Sequence, residues 1–153
     1  MQKTVLITGC SSGIGLESAL ELKRQGFCVL AACRKPEDVT RMQGKGLVGI
    51  LLDLDSAESV DRAADEVIAL TNNRLYGIFN NAGYGVYGLL NTISREQMEQ
   101  QFSTNFFGVH QLTMRLLPAM VPRGVAAAMP PVNMRSKPGP TRCVWSCATR
   151  ASK

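Results

Sequence analysis

The sequence predicts an α/β fold: a doubly wound, mostly parallel sheet of about four strands, incomplete, followed by a poorly structured C-terminal tail. Three observations predict it. Short apolar runs rich in Val, Ile and Leu alternate with amphipathic helical patterns up to about residue 121. The runs are apolar throughout rather than alternating, as in strands covered on both faces. A glycine-rich turn, TGCSSGIG, joins the first strand pattern to the first helix pattern.

The elements follow in order. TVLIT (4–8) reads as the first strand. Residues 14–25 read as a helix, with Ile14, Leu16, Ala19, Leu20 and Leu22 apolar and Gly26 as its stop. CVLAAC (28–33) is a second buried strand, and a short helix over 36–42 starts at Pro36, which suits a first helical turn. LVGILLDL (47–54) is a third strand. Ser56 is placed to cap a helix carrying Ala57, Val60, Ala63, Ala64 and Val67 at spacings of three and four. LYGIFN (75–80) is a fourth strand. A long helix over 94–117 is expected to end at Pro118 and Pro122. Right-handed crossovers then put the first strand in the interior of the sheet.

Composition narrows the class. With 45% hydrophobic residues and 153 positions, the chain can build a core. It has neither a run of about 20 apolar residues nor a signal-peptide pattern, so a cytoplasmic protein with no membrane partner is expected. Five cysteines at irregular spacing and one histidine suit free thiols and no metal site. The net charge of +5 is unevenly placed. All twelve acidic residues lie between Glu17 and Glu99, while residues 123–153 hold six Lys and Arg and no acid. A near-neutral domain (1–121) is therefore followed by a basic tail (122–153) with five prolines and no helical period. Nucleic-acid binding by that tail is a rival reading, weakened by its single aromatic residue, Trp145. No specific nucleic-acid partner is expected.

The glycine-rich turn carries the first functional signal. Gly9 permits a sharp turn, Gly13 lets backbone approach a pyrophosphate, and Gly15 lets the helix pack on the strand. Ile14 opens the helix, whose N–H groups would face the phosphates, and Ser11 and Ser12 offer hydroxyls. A tight strand–helix turn without a ligand is the alternative. The second strand ends in Cys33, Arg34 and Lys35. A carboxylate there would hold the 2′-hydroxyl of NAD, whereas a guanidinium holds a 2′-phosphate. The cofactor expected is NADP(H), unless Arg34 is only a solvated charge.

The spacing Thr8-Gly9-x-x-x-Gly13-Ile14-Gly15 strongly resembles that of the short-chain dehydrogenase/reductase family. Asn80-Asn81-Ala82-Gly83 looks like its second motif, and Asn105 looks like its helix asparagine. The resemblance covers roughly residues 1–121 and implies a Rossmann-like domain with cofactor-binding residues Gly9, Ser11, Ser12, Gly13, Ile14, Gly15, Arg34, Lys35, Asp53, Leu54, Asn80, Ala82 and Gly83. Asp53 and the Leu54 backbone would flank the adenine, and Asn105 would bend its helix and hold a water in a proton relay. On the helix pattern, Asn105 shares a face with Met98, Phe102, Phe106, Val109 and Leu112, so a buried amide is expected, with bonding to nearby backbone as the alternative. His110 reads as an ordinary helix residue. The implied activity is hydride transfer between NADP(H) and a small carbonyl or alcohol substrate, with oligomers possible for the intact parent.

The family's Ser and Tyr-x-x-x-Lys are absent. Tyr76, Tyr84 and Tyr87 are followed four positions on by Asn80, Gly88 and Asn91, and all precede Asn105. The expectation is a truncated, inactive chain. A non-catalytic NADP(H)-binding module, alone or assembled with another chain, is the alternative. The tail suggests why. Back-translated one base out of frame, Met129–Met134 can spell Tyr-Ala-Ala-Ser-Lys-Tyr, and 135–147 can spell an amphipathic helix. The fifth strand with its Ser is expected to be lost around 121–128, with the frame shifted at the same point.

Overall fold

The computed structural model describes residues 2–89 and 91–120, and the readings that concern the tail lie outside these residues. β1 (Thr4–Thr8), β2 (Cys28–Cys33), β3 (Val48–Leu51) and β4 (Gly77–Phe79) form one parallel sheet in the order β3-β2-β1-β4. β1 is interior, as expected from right-handed crossovers. Its pairings run Thr4 to Cys28 through Thr8 to Ala32 on one side and Val5 to Gly77 through Ile7 to Phe79 on the other.

Alternate residues of β1 and β2 feed opposite layers, whereas β3, at the edge, buries Ile50 and leaves Val48 and Leu51 exposed. Val5, Ile7, Val29, Ala31 and Cys33 pack with Ala19 of α1 (Gly13–Arg24) and Met42 of α2 (Pro36–Gly44). Leu6, Leu30, Ala32 and Ile50 pack with Val60, Ala64 and Val67 of α3 (Ala57–Thr71) and Leu112 and Leu116 of α5 (Val109–Met120). Burying each such leucine or isoleucine contributes about 1.5–3 kcal/mol. This two-sided burial is why the β1 and β2 patterns are continuous rather than alternating.

Two strands are shorter than their sequence patterns. β3 stops at Leu51, opposite Cys33, and the last link of the ladder is the Leu52 N–H to the Cys33 carbonyl at 2.9 Å. Leu52 and Leu54 stay buried beyond the strand. The apolar pattern reported burial there, not pairing.

The long helix departs from expectation in three ways. α4 (Arg95–Phe102) opens on a capping box between Ser94 and Gln97, and a π-helical segment, Ser103–Gly108, separates it from α5. The wider turn breaks the 3.6-residue phase. Val109 and Leu112 are buried, whereas Met98, Phe102 and Phe106 are exposed. The continuous apolar face expected from 98 to 112 is therefore corrected to a face that begins at Val109. Nor does Pro118 end the helix, which runs on to Met120. Pro118 deprives the Met114 carbonyl of its helical donor. Both residues are exposed, so water can satisfy that carbonyl.

Candidate functional site

The C-terminal ends of the strands open on a cleft of about 950 Å³. This is where open α/β sheets place ligands. The glycine-rich turn forms one wall. Gly9 (φ +70°) and Gly13 (φ +58°) are left-handed, and a Cβ on Gly9 would lie 2.9 Å from Ala82 Cα. A Cβ on Gly15 would collide with the Gly9 carbonyl and the Asn81 amide. Gly13 is different, because nothing lies within 4 Å of the position its Cβ would take. Space is left open above the start of α1.

The start of α1 is also chemically open. Ser56 and Ser94 cap α3 and α4 with their hydroxyls, but Ser12, the N-cap of α1, makes no such bond. The first N–H groups of α1 therefore lack the side-chain partner their counterparts have.

The turn is held from across the sheet. Thr8 Oγ1 accepts the N–H groups of Asn81 and Ala82 at 3.0 and 2.9 Å. Asn81 Nδ2 donates to the carbonyls of Thr8 and Gly9 at 3.0 and 3.2 Å. Four bonds thus tie the segment after β4 to the segment after β1. Asn80 is buried and donates to Thr113 Oγ1 at 3.0 Å, while its Oδ1 has no partner among the described residues.

Most of the residues singled out in the sequence meet in this cleft. Gly9, Ser11, Ser12 and Ile14 line it from the turn, and Arg34, Asp53 and Leu54 line it from the ends of the second and third strand patterns. Asn80, Ala82, Gly83 and Asn105 line its far side. Gly13, Gly15 and Lys35 do not line it. Gly15 is packed beneath the turn, and Lys35 is the N-cap of α2. Asp53 Oδ1 is engaged by the Asp55 N–H at 3.0 Å.

Asn105 is half-buried and clamps backbone. Its Nδ2 donates to the Tyr84 carbonyl at 2.6 Å and its Oδ1 accepts the Tyr84 N–H at 3.0 Å. His110 is exposed and stacks on Phe106 at 6.4 Å. Burial, with a smaller contribution from Cys33, pushes the Cys10 thiol up to about 12. Cys33 is raised by burial and by Asp38, against a lowering effect of Arg41.

Some contributors went unread in the sequence. Gln101 Oε1 accepts the Val86 N–H at 2.6 Å, and Thr104 donates to Asp55 at 2.5 Å. Arg41 donates to the Ser11 carbonyl at 2.5 Å. A Cβ on Gly108 would strike the Leu54 carbonyl, so the absence of a side chain lets the π-helical segment close on the cleft. A glycine inside a helical pattern was the available signal for the last of these.

The architecture is Rossmann-like, with a crevice at the carboxyl ends of a doubly wound parallel sheet. The chain belongs to the short chain dehydrogenase family, whose sequence pattern matches residues 3–153. It is 81% identical over 124 residues to the uncharacterized oxidoreductase YbbO of Escherichia coli K12, covering 81% of this chain and 46% of YbbO. It is 37% identical over 121 residues to human retinol dehydrogenase 5, covering 76% of this chain and 38% of that protein. Among solved structures, an alcohol dehydrogenase from Thermococcus sibiricus complexed with 5-hydroxy-NADP superimposes with a TM-score of 0.76 at 27% identity, over 84% of this chain and 57% of the other. The chain thus spans less than half the length of the curated relatives it matches. No helix of the described residues is long and apolar enough to cross a membrane.

Proposed function

We propose that residues 1–121 form the dinucleotide-binding half of an NADP(H)-dependent oxidoreductase, joined to a separate basic segment, 122–153. The observation that carries this reading is the uncapped start of α1, where Ser12 and Ile14 line the same cleft as Arg34. The residues present suit the nucleotide. Gly13 and the first N–H groups of α1 would take the pyrophosphate, with Ser11 and Ser12 beside them. Arg34 and Lys35 would take the 2′-phosphate, Asp53 and Leu54 the adenine, and Asn80, Ala82 and Gly83 the inner end of the cleft. Gly9 and Gly15 serve by having no side chain. Cys33, where a carboxylate would repel a 2′-phosphate, agrees with this choice.

When bound, the nicotinamide exchanges a hydride with the carbonyl carbon of a substrate, and the alkoxide oxygen needs a proton donor. In this chain Tyr84 and Tyr87 line the cleft, but among the described residues neither hydroxyl accepts a hydrogen bond from a lysine. Tyr76 does meet Lys3, whose Nζ lies 3.4 Å from its hydroxyl, but alongside the first residues of β1, away from the cleft. Asn105 holds the Tyr84 backbone and so shapes the floor on which a substrate would rest. The proposal is therefore a chain that binds NADP(H) without turning over a small carbonyl or alcohol substrate by itself.

Fluorescence titration of the 153-residue chain with NADPH tests the first half. Saturable binding that is stronger for NADPH than for NADH is expected, and its absence would overturn the reading. Incubation with NADPH and a panel of aldehydes and ketones tests the second. Steady NADPH consumption above a protein-free control would overturn the inactive assignment.

A further inference from the structure

We infer that the Asp38–Arg41 ion pair on α2 is a determinant of the choice between NADP(H) and NAD(H), acting through Ser11 and Cys33 rather than by touching the nucleotide. The inference rests on the NADP(H) reading of the cleft. Arg41 Nη2 lies 2.8 Å from Asp38 Oδ1 and donates to the Ser11 carbonyl at 2.5 Å. One guanidinium therefore neutralises the carboxylate and ties α2 to the glycine-rich turn. The Asp38 side chain is only 17% exposed, so its charge is less screened than that of a free surface acid.

Two observations put this pair beside the 2′ position. α2 begins at Pro36, directly after Arg34 and Lys35. Cys33, buried at the end of β2 and lining the cleft, feels both charges: Asp38 raises its thiol pKa and Arg41 lowers it. The helix is also held in place. Val39 packs on Gly49 of β3 so closely that a Cβ there would lie 2.7 Å from it. Asp38 and Arg41 therefore cannot drift far from the end of β2.

The electrostatic consequence has a definite sign. With Arg41 present, Asp38 is neutralised, and Arg34 and Lys35 outweigh the exposed Glu37 that follows them, a surplus that favours a 2′-phosphate. Without Arg41, a covered carboxylate stands unpaired behind Cys33. That carboxylate repels a 2′-phosphate but not a 2′-hydroxyl. Asp38 is thus a covered acid on the helix that follows β2, and Arg41 keeps it silent.

The test is titration of the full 153-residue chain with NADPH and NADH, at low salt and at high salt, for four proteins: unaltered, Arg41→Gln, Arg41→Lys and Asp38→Asn. Arg41→Gln should raise the ratio Kd(NADPH)/Kd(NADH) about tenfold. Asp38→Asn should lower it about threefold. Arg41→Lys keeps the charge and should leave the ratio within about twofold of the unaltered chain. Both shifts should shrink at high salt. A thermal melt of each variant checks that it is folded. Equal weakening of both nucleotides in Arg41→Gln, or an unchanged ratio in both charge-removing variants, would show a structural pair only and overturn the inference. If the unaltered chain binds neither nucleotide, the NADP(H) reading fails, and this inference with it. If it prefers NADPH and Arg41→Gln leaves the ratio Kd(NADPH)/Kd(NADH) unchanged, only the inference fails.

Discussion

Gly13 and Gly15 stand two residues apart and respond to different constraints. Gly15 is enclosed, so Gly15→Ala must push the Gly9 carbonyl or the Asn81 amide aside, and a loss of about 1–3 kcal/mol of stability is expected. Gly13 has open space but a left-handed backbone, so Gly13→Ala should cost about 1–2 kcal/mol of strain. Its larger effect should be on NADPH affinity, because the methyl group enters the space proposed for the pyrophosphate. Urea melts and NADPH titrations of both variants separate the two. Cys10 supplies a pH prediction. Its thiol is held near 12 in the fold against 9.0 in its ordinary state, mainly by burial, so the folded chain keeps this proton more tightly than the unfolded one. That contribution is complete below about pH 9 and is lost as the pH climbs from 9 toward 12. Melting temperatures measured across that range should fall less steeply in Cys10→Ala than in the unaltered chain.

At the scale of elements, the π-helical segment and Asn105 act together. The segment turns the side chain of Asn105 toward the loop at Tyr84, where its two ends hold both the N–H and the carbonyl of one residue. Asn105→Ala removes both bonds and should cost about 1–3 kcal/mol. Asn105→Asp keeps only the acceptor. Amide exchange at residues 84–88 should accelerate in both, more so in the alanine variant, while β1 and β2 stay protected. Capping behaves more simply. Ser56 was legible as a cap because an apolar period of three and four follows it, and it accepts the Ser59 N–H at 3.2 Å. Ser56→Ala should cost about 1 kcal/mol in a thermal melt. The phase slip at Ser103–Gly108 was not legible, because the apolar residues on its two sides fit one continuous helix by spacing alone. The slip ends at Gly108, whose lack of a side chain lets the helix approach the Leu54 carbonyl.

For the whole molecule, β4 is an edge of the sheet that the described residues form. A parallel edge of this kind has little polar face to show water and is prone to pair with other chains. Concentration-dependent light scattering on mild heating is therefore expected for the purified chain. Bound nucleotide should oppose it. At a hundredfold excess over Kd, NADPH would add about 2.7 kcal/mol, enough to raise the melting temperature by several degrees. A melt unaffected by saturating NADPH would count against the proposed site. Asn80, whose buried Oδ1 lacks a partner among the described residues, lies immediately after the same strand.

What the sequence determined by itself was the layered α/β plan, the interior place of its first strand and about half of the residues that line the cleft. Apolar runs report burial on two faces, and glycines in a strand–helix turn report a backbone no other residue follows cheaply. These are local signals, carried by neighbours in the chain. Tertiary structure alone decided which bonds tie Thr8 to Asn81 and Arg41 to Ser11, where the apolar face of the last helix begins, and that Pro118 could remain within it. Each depends on groups 30 or more positions apart, or on which side of a helix meets solvent, and one-dimensional spacing holds neither.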